Sequence, residues 1–344
     1  MKKNESKNNR KRRRILLAFI MILFTGIILT ASTYAWFTAN RTVKVESVDV
    51  TVTTSKGLQI STDATKWKSV VTNADITGAK WLGVTNQLPN GTGEVMAPVS
   101  TAGETDSKTG FMNMYKGTIV TNKSTGNNIL TTAKSTETNS TTTGETGDFV
   151  AFDLFFQSNE AHDIYLTSNS SVTATSGKTD SGIQNAARVA FITEGNVAYG
   201  SAASAAQALK TPGTPYIWEP NYDVHTPSGI DNARNTYGIT TTATGGTQLA
   251  YNGVKTTIAE SADQPLNSKD SAYFTAMETN GSLASGIPTT AYLNAFHIDE
   301  GVTKVRIYMW VEGQDVDCED KASGGSLSYN LSFSIDSKAP EANG

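Results

Sequence analysis

Val305-Arg306-Ile307-Tyr308-Met309-Trp310-Val311 and Leu327-Ser328-Tyr329-Asn330-Leu331-Ser332-Phe333-Ser334-Ile335 decide the fold class. In the first stretch Val305, Ile307, Met309 and Val311 alternate with Arg306, Tyr308 and Trp310. In the second, Leu327, Tyr329, Leu331, Phe333 and Ile335 alternate with Ser328, Asn330, Ser332 and Ser334. A period of two places successive side chains on opposite faces, so each stretch reads as a strand with one apolar and one wet face. An acidic, Gly-containing connection separates them, which predicts an antiparallel pair.

Working back along the chain, Phe149-Val150-Ala151-Phe152-Asp153-Leu154-Phe155-Phe156 is apolar on both faces and predicts a central buried strand. Ile164–Leu166 and Arg188–Ile192 predict further strands. Val43, Val45, Val48, Val50 and Val52 give a strand whose parity shifts between Val45 and Val48. That shift predicts a β-bulge near Glu46-Ser47, or a break between two short strands. Leu58 and Ile60 continue the alternation.

Between these strands the chain is rich in Ser, Thr, Asn and Gly, a composition of strands and turns. Residues 61–120 mix turn signals with Trp67, Trp81, Phe111 and Tyr115. Residues 121–147 read as a long exposed loop around Ile129-Leu130. Ser201–Leu209 is Ala-rich and predicts a short helix ending near Pro212. Pro212–Pro227, with Tyr216, Trp218 and Tyr222, reads as an irregular surface excursion. No internal repeat is visible.

The expected fold is therefore all-β: a jelly-roll-like β-sandwich over 36–336 with long inserted loops, its excursions at 121–147 and 200–300. A signal or transmembrane helix over 1–35 precedes it, and a polar tail at 337–344 follows.

Residues 2–14 hold eight Lys and Arg and one acid, Glu5, ahead of an apolar run from Ile15 to Phe37. The basic flank keeps that end cytoplasmic, and the run is long enough to cross a bilayer. It softens into Thr33-Tyr34-Ala35, a small-x-small site that predicts cleavage between Ala35 and Trp36. The alternative is an uncleaved signal anchor, the chain's one link to a membrane. Removing 1–35 leaves 20 basic and 31 acidic residues, a net charge of −11. Such a balance argues against nucleic acid, whose phosphates require a basic face. The one cysteine, Cys318, permits no intramolecular disulfide, so an ordinary apolar core must supply stability.

The chemistry-bearing residues are few. His162, His225 and His297 are scattered and form no His-Glu-x-x-His, and there is no Gly-x-Ser-x-Gly elbow. No enzyme is expected. Cys318 lies among Asp315, Asp317, Glu319 and Asp320, whose charge opposes a thiolate, so it reads as structural. The same acids, with Glu312, offer alternating oxygens that suggest weak calcium binding. The run lacks the Gly and Glu of an EF-hand loop, and the plainer reading is a solvated acidic turn.

Tyr34-Ala35-Trp36-Phe37-Thr38 after an apolar run resembles the signals processed by the SipW-type signal peptidase. Proteins with that signal include the TasA/camelysin-like family of secreted biofilm-matrix fibre proteins. The resemblance covers about residues 15–60, and only a strand-rich pattern ending in Trp310-Val311-Glu312-Gly313 beyond them. It implies a jelly-roll subunit handled by export machinery and signal peptidase. Such a subunit is secreted, stays near the cell surface and self-associates into fibres by donating its N-terminal strand. On this chain that strand carries Val43, Val45, Val48, Val50 and Val52. Length is a departure: the excursions have no place in a minimal subunit. The runner-up is a tethered or released adhesin-like binding protein using the surface around Trp218. A metalloprotease is a distant third, implied by the camelysin name and supported by no motif.

Overall fold

A computed structural model of the chain describes residues 36, 42–53, 57–78, 95–137, 148–175, 181–235, 248–262, 264 and 270–340. The expected signal helix, Ala35 and Trp81 lie outside the described residues.

The described chain is mostly strand. One sheet runs in the order β16 (Leu293–Ile298), β9 (His162–Leu166), β18 (Ser326–Ser334), β1 (Val43–Val52) and β3 (Val70–Val71). β10 (Ser171–Ala174) adds to β18, and β4 (Val95–Met96) adds to β1. A second sheet runs β15 (Asn280–Gly281), β12 (Tyr216–Glu219), β11 (Ala187–Val197), β17 (Gly301–Val311), β8 (Val150–Ser158) and β2 (Gln59–Ser61). The inward residues of both sheets form one apolar core. Val150, Phe152, Leu154 and Phe156 of β8 meet Val305, Ile307, Met309 and Val311 of β17 and the valines of β1 there. Phe156 and Phe191 from one sheet pack edge-on against Phe333 from the other, with ring centroids 5.5 and 5.4 Å away. That geometry sets the positive ring edges against the negative faces.

The bulge in β1 is present: its register against β18 shifts between Val45 and Ser47, and the strand continues unbroken through it. The expected antiparallel pair at the C-terminal end is not. β17 pairs with β8 and β11, while β18 pairs with β1, β9 and β10 in the other sheet. Alternation specifies which face is apolar and is silent on which sheet a strand joins. The connection between them crosses the core edge instead of turning back as a hairpin.

Nor is the second face of β17 wet. Every residue from Gly301 to Val311 is buried. Segments of 95–135, expected as turns and loop, form a further layer over that face together with part of the expected 200–300 excursion. β5 (Val99–Ser100), β6 (Met114–Thr121) and β7 (Asn128–Ser135) make a three-stranded sheet, so 128–135 is strand and the exposed loop expected there is corrected. Ile129 and Leu130 are buried, Leu130 in an apolar cluster with Tyr115, Val254 and Ile258. β13 (Asn252–Val254) and β14 (Phe274–Ala276) make a small pair. Helices are short: α1 (Asn73–Gly78), α2 (Ala203–Gln207) and α3 (Pro227–Asn235). The predicted Ala-rich helix is α2. Val99, Met112, Met114 and Ile217 cover Tyr308 and Trp310, making a second apolar cluster outside the sandwich. Trp218, expected at a surface, is fully buried within β12 and donates from Nε1 to Ser282 Oγ at 2.9 Å.

Candidate functional site

The N-terminal strand carries the assembly expectation, and its surroundings are specific. β1 runs parallel to β18 from Lys44 opposite Ser326 to Val52 opposite Phe333. On its other side, among the described residues, it meets the two-residue bridges to β3 and β4. Val43, Val45, Val48, Val50 and Val52 are all buried in the main core. Each buried valine contributes about 1.5–3 kcal/mol before ordering costs.

Trp36, the residue expected to follow the cut, is buried as well. Its ring lies in a slot between two glycines. A Cβ added at Gly117 of β6 would stand 2.7 Å from the indole, and one at Gly313 would overlap it. Nε1 donates to Gln314 Oε1 at 3.2 Å. Tyr115, Leu130, Val254 and Phe274 belong to the same apolar cluster. The layer over the sandwich is thus also the receptor for the start of the expected mature chain. Gly117 carries no mark in the sequence, and Gly313 enters there only as the end of Trp310-Val311-Glu312-Gly313.

The acidic run is neither a solvated turn nor a convergent ligand set. Glu312, Asp315, Asp317 and Glu319 are buried and Asp320 is half-buried. The oxygens of Glu312, Asp315 and Asp317 go to separate protein partners. Glu312 accepts from Trp310 Nε1 and from the Gln314 backbone N–H, both at 3.0 Å. Asp315 Oδ2 takes Arg188 Nη2 at 2.6 Å, and the same nitrogen reaches Glu219 Oε1 at 2.7 Å. Asp317 Oδ1 accepts from Thr226 N and Oγ1 at the start of α3, at 2.9 and 2.8 Å. Asp317 Oδ2 meets His225 Nδ1 at 2.9 Å. A carboxylate suits a helix start, where backbone N–H groups lack partners. Among the described residues, no three His, Cys, Asp or Glu side chains group as metal ligands. Cys318 is buried, and burial followed by the surrounding carboxylates pushes its thiol well above the usual range. The other histidines stand apart: His297 pairs with exposed Asp163 at 2.8 Å, and His162 lies in β9.

Burial pushes the Glu312 carboxyl up to about 7, against the pull of its donors. Its unfolded value is near 4.5, so the folded chain holds this proton over a window in which the unfolded chain has released it. Stability from this group therefore falls as pH rises from about 4.5 to about 7. Glu312→Gln, which has no proton to lose, is expected to be relatively more stable than the parent above that window than below it. Urea melts at both ends check this; a constant difference between the two proteins would contradict it.

A second buried charge group escaped the sequence reading. Asp153, Glu194, Lys304 and Arg306 cluster on the covered face of the second sheet. Its one legible signal was Asp153, a lone acid in a run apolar on both faces. Among the described residues, no helix is long and apolar enough to cross a membrane. Comparison with protein-family models, curated proteins and solved structures gives no match to this chain.

Proposed function

We propose that this chain is an exported, extracellular structural subunit with a jelly-roll-like sandwich, and that it self-associates through exchange of β1. The observation that supports this most is the seat of β1. Among the described residues it has one continuous partner, β18, from late in the sequence, and its other side carries two short bridges. A strand in that position can leave its own sheet and take the same seat in a neighbour, where backbone hydrogen bonds and valine pockets are identical. Head-to-tail exchange does not close on itself, so it gives filaments. The basic start and apolar run supply the export route, and the excess of acids keeps the exported part soluble. Trp218, around which the binding-protein alternative is placed, is itself buried, which favours the structural reading.

Two outcomes are expected. Intact mass and N-terminal sequencing of the exported protein will give Trp36 as first residue, freed after Ala35; retention of 1–35 would mean an anchor. Electron microscopy of the mature protein will show filaments, and a synthetic peptide of residues 36–53 will shorten them by occupying the β1 seat. A protein that stays monomeric at high concentration, across pH and calcium, would overturn the assembly reading.

A further inference from the structure

The covered face of the second sheet brings an amine, a carboxyl group and a second acid into one dry site. Asp153 lies on β8, Lys304 on β17 and Glu194 on β11, three adjacent strands. Lys304 pairs in register with Phe155, so Asp153 is its diagonal neighbour on the same face. On the other side Thr193 pairs with Val305, and the next step of that register sets Glu194 beside Lys304, just before the register shifts ahead of Asn196. Gly195, at φ +111°, supplies the backbone conformation that the bulge requires.

Lys304 Nζ stands 3.2 Å from Asp153 Oδ2 and 2.7 Å from Glu194 Oε2. All three side chains are buried, with 3% or less exposed. The Lys304 nitrogen also donates to the carbonyl oxygen of Leu209 at 2.9 Å and approaches that of Gln207 at 3.4 Å, which fix its position from the α2 side. Arg306 Nη1 holds the other Asp153 oxygen, Oδ1, at 2.6 Å.

We propose that Lys304 and Asp153 condense into a side-chain amide that joins β8 to β17, with Glu194 carrying the proton. Glu194 takes a proton from the ammonium, and the freed Nζ lone pair attacks Asp153 Cγ. Charge then gathers on Oδ1, where the Arg306 guanidinium already sits as an oxyanion partner. Glu194 returns its proton to Oδ2, and the second proton from nitrogen follows the same route. The Cγ–Oδ2 bond breaks, water leaves, and Glu194 ends as it began. Nothing is oxidised or reduced, and no co-reactant is required.

Three features favour the step. Amide formation is unfavourable between free groups in water, but fixed neighbours react without the entropy cost of meeting. Burial pushes the Asp153 carboxyl up to about 7 and raises Glu194, so neutral acid forms are accessible. The product removes one positive and one negative charge from a site where keeping them is costly. A covalent tie between strands also suits a chain whose single cysteine forbids an internal disulfide.

The test is the denatured mass of the purified exported protein, followed by tryptic mapping. The expected result is a deficit of one water and a cross-linked species joining the peptides that contain Asp153 and Lys304, with no cleavage after Lys304. Glu194→Gln, confirmed as folded by circular dichroism, is expected to show the full mass. In Asp153→Asn the leaving group becomes ammonia, so the deficit is expected to change accordingly. Full mass in the parent protein, with normal cleavage after Lys304, overturns the proposal whatever the variants do. So does a water loss that maps to any other pair of residues. A link that persists in Glu194→Gln overturns the proton-carrying role.

Discussion

Arg188→Ala is expected to lose about 3–5 kcal/mol of folding stability, because it strands two buried carboxylates at once. Arg188 is fully buried on β11 and its Nη2 bridges Asp315 and Glu219 at 2.6 and 2.7 Å. Its Nη1 donates to the carbonyl oxygens of Asn185 and Ala187, and the guanidinium lies 5.3 Å from the centre of the Tyr251 ring. The two carboxylates hold Arg188 above its already high range, so it is charged at every working pH. Burial and the nearby Asp317 charge push Asp315 up to about 6 even with Arg188 in place. Without the guanidinium that carboxyl must take up a proton or admit water. The size of the loss comes from the unpaired partners, so a neutral set should recover much of it. Arg188→Met with Asp315→Asn and Glu219→Gln is expected to be clearly more stable than Arg188→Ala alone. Urea unfolding at neutral pH measures both. An Arg188→Ala protein within about 1 kcal/mol of the parent, in the range of exposed pairs, would show that water reaches the site.

The sequence made the sandwich's inner face readable and left its outer cover almost unmarked. Alternation in 305–311 and 327–335 identified the inward residues, and all of Val305, Ile307, Met309, Val311, Leu327, Tyr329, Leu331 and Phe333 are in the shared core. The parity shift between Val45 and Val48 located the β1 bulge because a one-residue insertion reverses every later side chain. Period two carries no information on strand partners, which is why β17 and β18 were expected to pair. In the sequence the polar positions of β17 look wet because Arg306 and Tyr308 are usually solvated. They are instead covered by segments whose Ser, Thr and Gly content resembled loose loop. That composition hid β7, since Leu130 and Thr132 alternate inward among residues of low apolar character. The acidic run misled for a related reason: its carboxylates are matched by Arg188, Thr226 and His225, which lie far away in sequence and carry no local signature. Asp153 carries a signal that alternation alone does not use: an acid inside a strand apolar on both faces demands a buried partner.

The Trp36 slot gives the other large effect, and it connects export to folding. Trp36→Ala is expected to cost about 3–5 kcal/mol, the range for removing a large buried aromatic side chain. The loss has three parts: the indole's apolar area, the cavity left against Tyr115, Leu130 and Val254, and Gln314 Oε1 losing its Nε1 donor. The two glycines offer a sharper test. Neither Gly117 nor Gly313 has a positive φ, so a methyl group there is forbidden by the indole and not by the backbone. Gly313→Ala is therefore expected to cost about 1–3 kcal/mol by overpacking when Trp36 is present. With Trp36→Ala already made, the methyl group enters empty space and the same change becomes nearly neutral. The double-mutant cycle is expected to show a coupling above about 1 kcal/mol, well beyond the error of additivity for independent sites. Additive losses would mean that the ring leaves the slot in solution, and the anchor at the start of the mature chain would be lost with it. A strong coupling ties Trp36 to Gly313, which immediately follows β17 and Glu312. The first residue after the expected cut would then be locked to the same strand that Lys304, Arg306 and Trp310 hold under the outer layer.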